Sequence, residues 1–177
     1  MIPGEEVSTE CGDLLAFFIQ EEVKSHEALE VIDEVKEQDG LIVIAHPYKY
    51  VRAYPPELLK RVDGIEIFNA RNPLKNLTYI FEMMKGHEWA LTAGSDAHFY
   101  FEIGRAYIEL NEPAHEPEDV KKAILRGELS IAGTITHSYA GILSRLVGSV
   151  KTCDYRPVLK LAINGMRHIV KKMLLGR

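Results

Sequence analysis

Short apolar runs alternate with amphipathic segments along most of this chain. Residues 41–45 (LIVIA) are apolar throughout and rich in β-branched side chains, which is typical of a strand buried on both faces. Residues 22–38 repeat apolar side chains at helical spacing, with acidic side chains between them. The full pattern predicts strands at 4–9, 14–19, 41–45, 64–68, 89–93 and 106–110, and helices at 22–38, 56–60, 72–85, 117–126, 142–147 and 157–175.

The alternation of strands and helices predicts an α/β fold. Its sheet should be largely parallel, with right-handed crossovers. A barrel-like layer fits the pattern as well as an open sheet does. A complete eight-fold barrel needs about 250 residues, more than the 177 present.

Composition is that of an ordinary globular protein, with 46% apolar and 27% charged residues. No apolar run approaches the ~20 residues that span a bilayer, and the first residues lack the features of a signal peptide. Cys11 and Cys153 have no metal-type spacing. We therefore expect a cytoplasmic protein with reduced thiols and no membrane partner.

Charge is distributed unevenly along the chain. Residues 1–150 carry 14 Lys/Arg and 25 Asp/Glu, a net −11, whereas residues 151–177 carry 7 and 1, a net +6. A basic tail can bind phosphate or nucleic acid. Tyr155 is the only aromatic residue of this tail, so few side chains are available to stack on nucleic-acid bases. The favoured interpretation is a helix docked on the acidic body.

Polar side chains follow three consecutive predicted strands. His46 follows 41–45, Asn69 follows 64–68, and Asp96 and His98 follow 89–93. The carboxyl ends of parallel strands form the ligand-binding edge of α/β proteins, so these groups should converge there. In an extended segment, Asp96 and His98 point to the same side. Their oxygen and nitrogen donors suit a metal ion; the alternative is a turn-capping aspartate beside a solvated histidine.

Three further acids belong to this interpretation. Glu66 lies within an apolar strand and must be paired if it is buried, the alternative being that it faces solvent or a base such as Arg71. Glu5 and Glu6 are adjacent, so their side chains face opposite sides and one of them can point into the same edge. The sequence has neither a phosphate-binding loop nor a G-x-S-x-G elbow, which leaves ATP hydrolysis and serine esterase chemistry with little support.

Taken together, five motifs resemble the PHP (polymerase and histidinol phosphatase) family of metal-dependent phosphoesterases. They are, in order, IPGEEVST (2–9), AHP (45–47), GIEIFNAR (64–71), GSDAH (94–98) and EIG (102–104). The resemblance implies a partial, distorted (β/α)7 barrel with zinc, manganese or iron at the strand carboxyl ends. It also implies hydrolysis of a phosphorylated small molecule or nucleotide by a metal-bound hydroxide.

The resemblance further implies a role for each matching residue. Glu6, His46, Asp96 and His98 would be metal ligands, the last three of them catalytic. Glu66 and Asn69 would shape the site, and Asn69 would also bind the substrate. Arg71 or Arg105 would contact the substrate phosphate.

Two departures from the family pattern qualify this expectation. The His-x-His and Asp-His motifs that precede Pro-Gly-x-Glu in the family are absent from this sequence, and Asp13 stands where many members carry His. Asp13 can still serve as a ligand, more weakly for a soft metal. We therefore expect weak or undetectable turnover from the chain as given. The alternative is a catalytically impaired binding or scaffold protein with a residual metal site.

Organisation and assembly follow from the same interpretation. We expect a PHP-like domain at residues 1–130 and a basic helical extension at 131–177 packed on it. A barrel lacking its first strands leaves backbone groups of residues 4–9 unpaired at an edge. We therefore expect a homo-oligomer, a dimer being the simplest form.

Overall fold

The computed structural model describes residues 1–47, 54–72, 77–136, 139–152, 156, 159, 160 and 163. Its strands are β1 (Gly4–Thr9), β2 (Gly12–Phe17), β3 (Leu41–Ile44), β4 (Gly64–Asn69), β5 (Ala90–Gly94), β6 (Ala106–Leu110) and β7 (Leu129–Gly133). Its helices are α1 (Ala28–Glu37), α2 (Pro56–Arg61), α3 (Leu77–Met84), α4 (Pro117–Arg126) and α5 (Tyr139–Thr152), with a 3-10 turn at Tyr100–Glu102.

Five strands form one mixed sheet in the order β1-β2-β3-β4-β5, and β6 pairs with β7 in a second sheet. The α/β class is confirmed, but the expectation of a largely parallel sheet is wrong. The β1-β2, β2-β3 and β6-β7 pairs are antiparallel, and only β3-β4 and β4-β5 are parallel. The two residues between β1 and β2 can join only antiparallel neighbours. No closed sheet is found among the described strands.

This topology brings several chain segments to one edge of the sheet. Since β2 is antiparallel to both of its neighbours, β1 runs in the same direction as β3, β4 and β5. The carboxyl ends of these four strands and the amino end of β2 therefore lie at the same edge. Helix α1 packs against β3 and helix α4 packs against β5.

The main core lies beneath this sheet. It includes fully buried side chains from the strands and from α1 and α2, among them Leu14, Ile32, Ile44, Leu58 and Ile65. Burying an aliphatic side chain of this size contributes about 1.5–3 kcal/mol relative to leaving it exposed. The core therefore stabilises the strands that carry the polar side chains at the sheet edge.

Helix α1 is shorter than the predicted 22–38. Its segment before Ala28 is held by side chains of the helix itself, because Glu34 accepts hydrogen bonds from the backbone N–H groups of Lys24 and Ser25 at 2.8 and 3.0 Å. Glu5 likewise accepts from the N–H of Val23 at 2.6 Å. With these donors satisfied, the segment does not need helical hydrogen bonds.

Other boundaries differ at the carboxyl-terminal side of the chain. Strand β7 begins at Leu129 and extends into residues 130–141, a Gly-, Ser- and Thr-rich passage for which no strand was predicted. Helix α5 is longer than the predicted 142–147. The predicted helix at 157–175 falls almost wholly outside the described residues, as does the beginning of the one predicted at 72–85.

The chain forms two compact units, Met1–Ile135 and Thr136–Arg177. The predicted division at residue 130, with an extension packed on the first domain, stays a prediction. Within the part of the chain that the structure describes, no helix has the length and apolar character needed to cross a membrane.

Candidate metal centre

His46 stands at the centre of the polar edge of the sheet. It follows β3 directly, is 4% exposed, and has a φ of 26°, which is uncommon for a residue other than glycine. Its backbone N–H donates to Glu66 Oε2 at 2.8 Å. Its Nε2 lies 3.4 Å from Glu6 Oε1 and 3.6 Å from Asp13 Oδ2, so two carboxylates face one ring nitrogen.

Asp13 reaches His46 because β2 runs antiparallel to β3. It lies at the amino end of β2, and its backbone C=O accepts the N–H of Ala45 at 3.1 Å, one residue before His46. Ser8 Oγ donates to Asp13 Oδ1 at 2.8 Å and leaves Oδ2 directed at the imidazole. The side chain that faces His46 from this strand is thus an oxygen donor.

Glu6 reaches the same point through the alternation of β1. Val7 points to the other face and is 5% exposed in the core. Glu5, which precedes Glu6, is used elsewhere as the acceptor for the N–H of Val23. Of the two adjacent acids, Glu6 is therefore the one at the polar edge.

Glu6, Asp13 and His46 form a group that could hold a metal ion. Each offers one donor atom, and these atoms all lie within 4.8 Å of one another. One imidazole nitrogen and two carboxylate oxygens suit zinc, and also manganese or iron. Asp96 and His98, which were also predicted as ligands, are not members of this close group.

Glu66 and Asn69 connect this group to Asp96. Asn69 is 1% exposed, and its Nδ2 lies 3.1 Å from Glu66 Oε2 and 3.4 Å from Asp96 Oδ2, so its two amide hydrogens can serve both acids. Its Oδ1 accepts the backbone N–H groups of Arg71 and Asn72 at 3.0 and 3.1 Å. Asn69 therefore bridges Glu66 and Asp96, and its roles in shaping the site and in contacting the substrate stay predictions.

Glu66 lies within an apolar strand and is 3% exposed. A carboxyl group buried to this extent requires a hydrogen-bond or ionic partner. Burial raises its pKa to about 7, although the hydrogen bonds from Asn69 and from the N–H of His46 oppose that rise. Glu66 Oε2 accepts hydrogen bonds from His46 and Asn69. Its side chain therefore points into the protein and not toward solvent.

Asp96 and His98 lie close together, but not for the reason expected. Asp96 has a φ of 49°, so the segment is turned rather than extended. His98 Nδ1 lies 3.0 Å from the Asp96 backbone oxygen and 3.5 Å from its Oδ1. Asp96 Oδ2 also accepts from Asn72 Nδ2 at 3.1 Å, so the carboxylate is anchored on the side facing β4.

The two arginines predicted as phosphate contacts have different surroundings. Arg71 has a side chain that is 10% exposed, with Nε 3.2 Å from Oε1 of the fully buried Glu102. Arg105 is half-buried, and among the described residues no carboxylate lies within ion-pair distance of it. Its Nη1 lies 3.4 Å from Thr134 Oγ1. Their roles as substrate contacts stay predictions.

Three residues at this edge were given no role in the sequence analysis, although two of them, Ser8 and Glu102, lie within the motifs quoted there. Ser8 orients Asp13, Asn72 anchors Asp96, and Glu102 pairs with Arg71. Glu102 makes half of a capping box, because its Oε2 accepts the N–H of Phe99, but Phe99 lacks the side-chain oxygen by which the motif is recognised in a sequence. Ser8 and Asn72 offered no sequence signal, because strand pairing and a turn bring them to their partners.

A family model described as PHP-associated, PHP_C, matches residues 84–129. An uncharacterised protein of Methanocaldococcus jannaschii is 34% identical over 131 residues, which are 67% of this chain and 55% of that protein. This chain therefore spans about half the length of that relative.

Two solved structures resemble the fold. One is a two-domain protein of Bacteroides vulgatus containing a predicted PHP-like metal-dependent phosphoesterase, with a TM-score of 0.58 and 16% identity over 75% of this chain and 44% of that one. The other is PsfC of Pseudomonas syringae, with a TM-score of 0.52 and 16% identity over 85% of this chain and 65% of that one. At this identity the likeness concerns the fold.

Proposed function

Because this chain belongs to the PHP family, we propose that it hydrolyses a phosphoester at a divalent metal held by Glu6, Asp13 and His46. The observation that carries the proposal is the position of the buried His46 ring, whose Nε2 lies within 3.6 Å of both carboxylates. Zinc, manganese and iron are the candidate ions. A partial PHP-type barrel is the proposed architecture around the sheet.

The donor set fits such an ion. The three donor atoms come from three different segments and lie within 4.8 Å of one another. Glu66 and Asp96 add two more carboxyl groups nearby through Asn69. Crowded carboxylates repel one another unless a cation or a proton compensates them, so this edge of the sheet favours a cation.

The residues of the chain have separable roles in this proposal. A bound divalent cation supplies Lewis acidity and lowers the pKa of water. Glu6, Asp13 and His46 bind it, and Asp96 and His98 are proposed as further ligands at the same edge. Asn69 and Glu66 orient His46 and Asp96 by hydrogen bonds, which limits the rearrangement needed during reaction.

Charge also bears on the substrate. A phosphorylated small molecule or nucleotide would be repelled by this acidic edge in the absence of a cation. The guanidinium of Arg105 is the more exposed of the two candidate arginines and can attract the phosphate. The proposal therefore requires strict dependence of turnover on added metal.

A pair of adjacent glutamates provides the matched test. We would assay p-nitrophenyl phosphate and bis(p-nitrophenyl) phosphate with added Mn²⁺ or Zn²⁺. Glu6→Gln should reduce the weak metal-dependent turnover at least ~10-fold, as is usual when metal-site groups are altered. Glu5→Gln keeps an acceptor for the N–H of Val23 and should retain turnover. Equal rates in the two variants would contradict the proposed site.

A second candidate function is a binding or scaffold protein with a single metal and no turnover. It is favoured by the position of Asp96 and His98 outside the close three-residue group. Isothermal titration with Zn²⁺ separates the two candidates. Stoichiometric binding that Glu6→Gln weakens, without hydrolysis of either phosphoester, would establish the second candidate over the first.

A further inference from the structure

A buried ion pair supports the loop that carries Asp96 and His98. Glu102 is 0% exposed, and its Oε1 lies 3.2 Å from Arg71 Nε. Removing two charges from water is unfavourable unless geometry and further hydrogen bonds compensate for it. Further hydrogen bonds of Glu102 supply part of this compensation.

The other oxygen of Glu102 holds the loop itself. Oε2 accepts the backbone N–H groups of His98 and Phe99 at 2.9 and 3.0 Å. In return, the backbone N–H of Glu102 donates to the C=O of Phe99 at 3.0 Å. The loop backbone is thus fixed on one carboxylate at the position of His98.

Arg71 connects that carboxylate to the adjacent strand. It follows β4 after a single residue, and its backbone N–H donates to Asn69 Oδ1 at 3.0 Å. Asn69 also contacts Asp96 through Nδ2. One network therefore reaches Asp96 by its side chain and His98 by its backbone.

Backbone fixation matters most for His98, because its side chain is 54% exposed and little packing holds the ring. The two oxygens near its Nδ1 belong to the Asp96 carbonyl and carboxylate, and both are acceptors. Nδ1 must therefore carry the hydrogen when the ring is neutral, which leaves the Nε2 lone pair available for a ligand. This tautomer is the minor one for free histidine in water.

We propose that Arg71 and Glu102 are positioning residues that hold His98 in its Nδ1–H tautomer for the metal centre. The benefit of this tautomer for metal binding rests on the proposed function. The contacts that fix the His98 loop do not depend on it. A buried guanidinium that left Glu102 to bind phosphate would leave a buried carboxylate uncompensated. Arg71 is therefore assigned to the loop and Arg105 to the substrate.

The test compares Arg71→Ala, Arg71→Lys and Glu102→Gln with the unaltered chain. Lys121→Ala is the matched control, since Lys121 has a side chain only 9% exposed that pairs with Asp39 at 2.7 Å, in a contact that joins α4 to the end of α1. Nitrogen chemical shifts of the His98 ring, recorded in metal-free protein in alkaline buffer, report the tautomer of the neutral ring. Melting temperatures report folding, and titration with Co²⁺ reports metal affinity.

We expect the Nδ1–H tautomer in the unaltered chain, in Lys121→Ala and in Arg71→Lys, which keeps the charge. Arg71→Ala and the nearly isosteric Glu102→Gln should shift His98 toward the Nε2–H tautomer and weaken Co²⁺ binding by roughly 10-fold or more. Retention of the Nδ1–H tautomer in both Arg71→Ala and Glu102→Gln would overturn the proposal, as would its absence from the unaltered chain.

The same data distinguish this inference from the proposed function. If the unaltered chain binds no Co²⁺ but the tautomer changes as expected, the positioning role stands and the metal function fails. If Co²⁺ binds and the tautomer is unchanged by both variants, the metal function stands and the positioning role fails. A rise in KM at constant kcat in Arg71→Ala, with the tautomer unchanged, would instead identify Arg71 as a phosphate contact.

Discussion

At Gly94 the backbone of β5 lies against the carboxylate of Glu66. A Cβ at this position would lie 2.7 Å from Glu66 Oε1, closer than van der Waals contact allows. Either the carboxylate or the strand must shift, and the hydrogen bonds that Glu66 makes to His46 and Asn69 resist that shift. The glycine is therefore required by close approach at the centre of the site.

We predict that Gly94→Ala lowers the free energy of unfolding by about 1–3 kcal/mol, the usual effect of overpacking. Gly148→Ala is the control, because Gly148 lies within helix α5 and its Cβ would meet nothing within 4 Å. That control should be neutral or stabilising, by up to about 1 kcal/mol. Urea denaturation measures both, and equal effects would show that Glu66 does not constrain Gly94.

Glu66 also predicts a pH dependence. Its pKa is raised by burial from 4.5 to about 7, so between these values the folded chain holds a proton that the unfolded chain has lost. Stability must therefore fall as pH rises through this window. Each unit of difference between the folded-state and unfolded-state pKa values corresponds to about 1.36 kcal/mol of unfolding free energy.

Glu66→Gln should remove this fall while keeping an acceptor for the N–H of His46. We predict that the variant gains stability relative to the unaltered chain on going from about pH 5 to about pH 8, by up to a few kcal/mol. Urea denaturation in the presence of a chelator measures it. Parallel pH profiles for the two proteins would show that Glu66 is ionised in the folded state at both values.

At the scale of elements, helix α1 stabilises the segment that precedes it. Glu34 accepts two backbone N–H groups of that segment, at 2.8 and 3.0 Å. We predict that Glu34→Ala lowers the free energy of unfolding by about 1–2 kcal/mol, because hydrogen bonds to a charged acceptor are lost. Glu37→Ala, an exposed position on the same helix, is the control. Similar denaturation midpoints for the two variants would rule out this role of Glu34.

Some helices and strands were predicted correctly from the sequence and others were not. Strands β3, β4 and β5 were predicted within one or two residues because apolar runs of this kind have few alternative structures. The start of α1 was not, since helical spacing continued into a segment whose backbone groups are held by distant side chains. Strand β7 was missed because its five residues include Ser and Gly, which have low strand propensity. Its hydrogen-bonded pairing with β6 stabilises the strand in spite of this composition.

The candidate site was predictable to a similar degree. Residues that follow a buried strand, such as His46 and Asp96, could be placed at one edge from the strand order. Asp13 could not be placed from a parallel arrangement, since it arrives through an antiparallel strand. The turned backbone at Asp96, which has a positive φ, was not indicated by any sequence pattern.

For the whole molecule, the edge of the five-stranded sheet bears on association with other chains. Among the described strands, β1 pairs with β2 alone, so its other side is an edge of the sheet. Unpaired strand edges favour pairing with another chain, and we predict a homo-oligomer. Light scattering over a range of concentrations measures this. A monomer at tens of micromolar, equally stable after deletion of residues 151–177, would contradict it.

The most direct test of the central claim is anomalous diffraction from crystals soaked in Zn²⁺. We predict a zinc peak bound by His46 Nε2 and by the carboxylates of Glu6 and Asp13, at about 2.0–2.2 Å, and its loss in Glu6→Gln crystals. Zinc bound elsewhere on the chain with these three side chains unligated, or a peak that persists unchanged in Glu6→Gln, would contradict it.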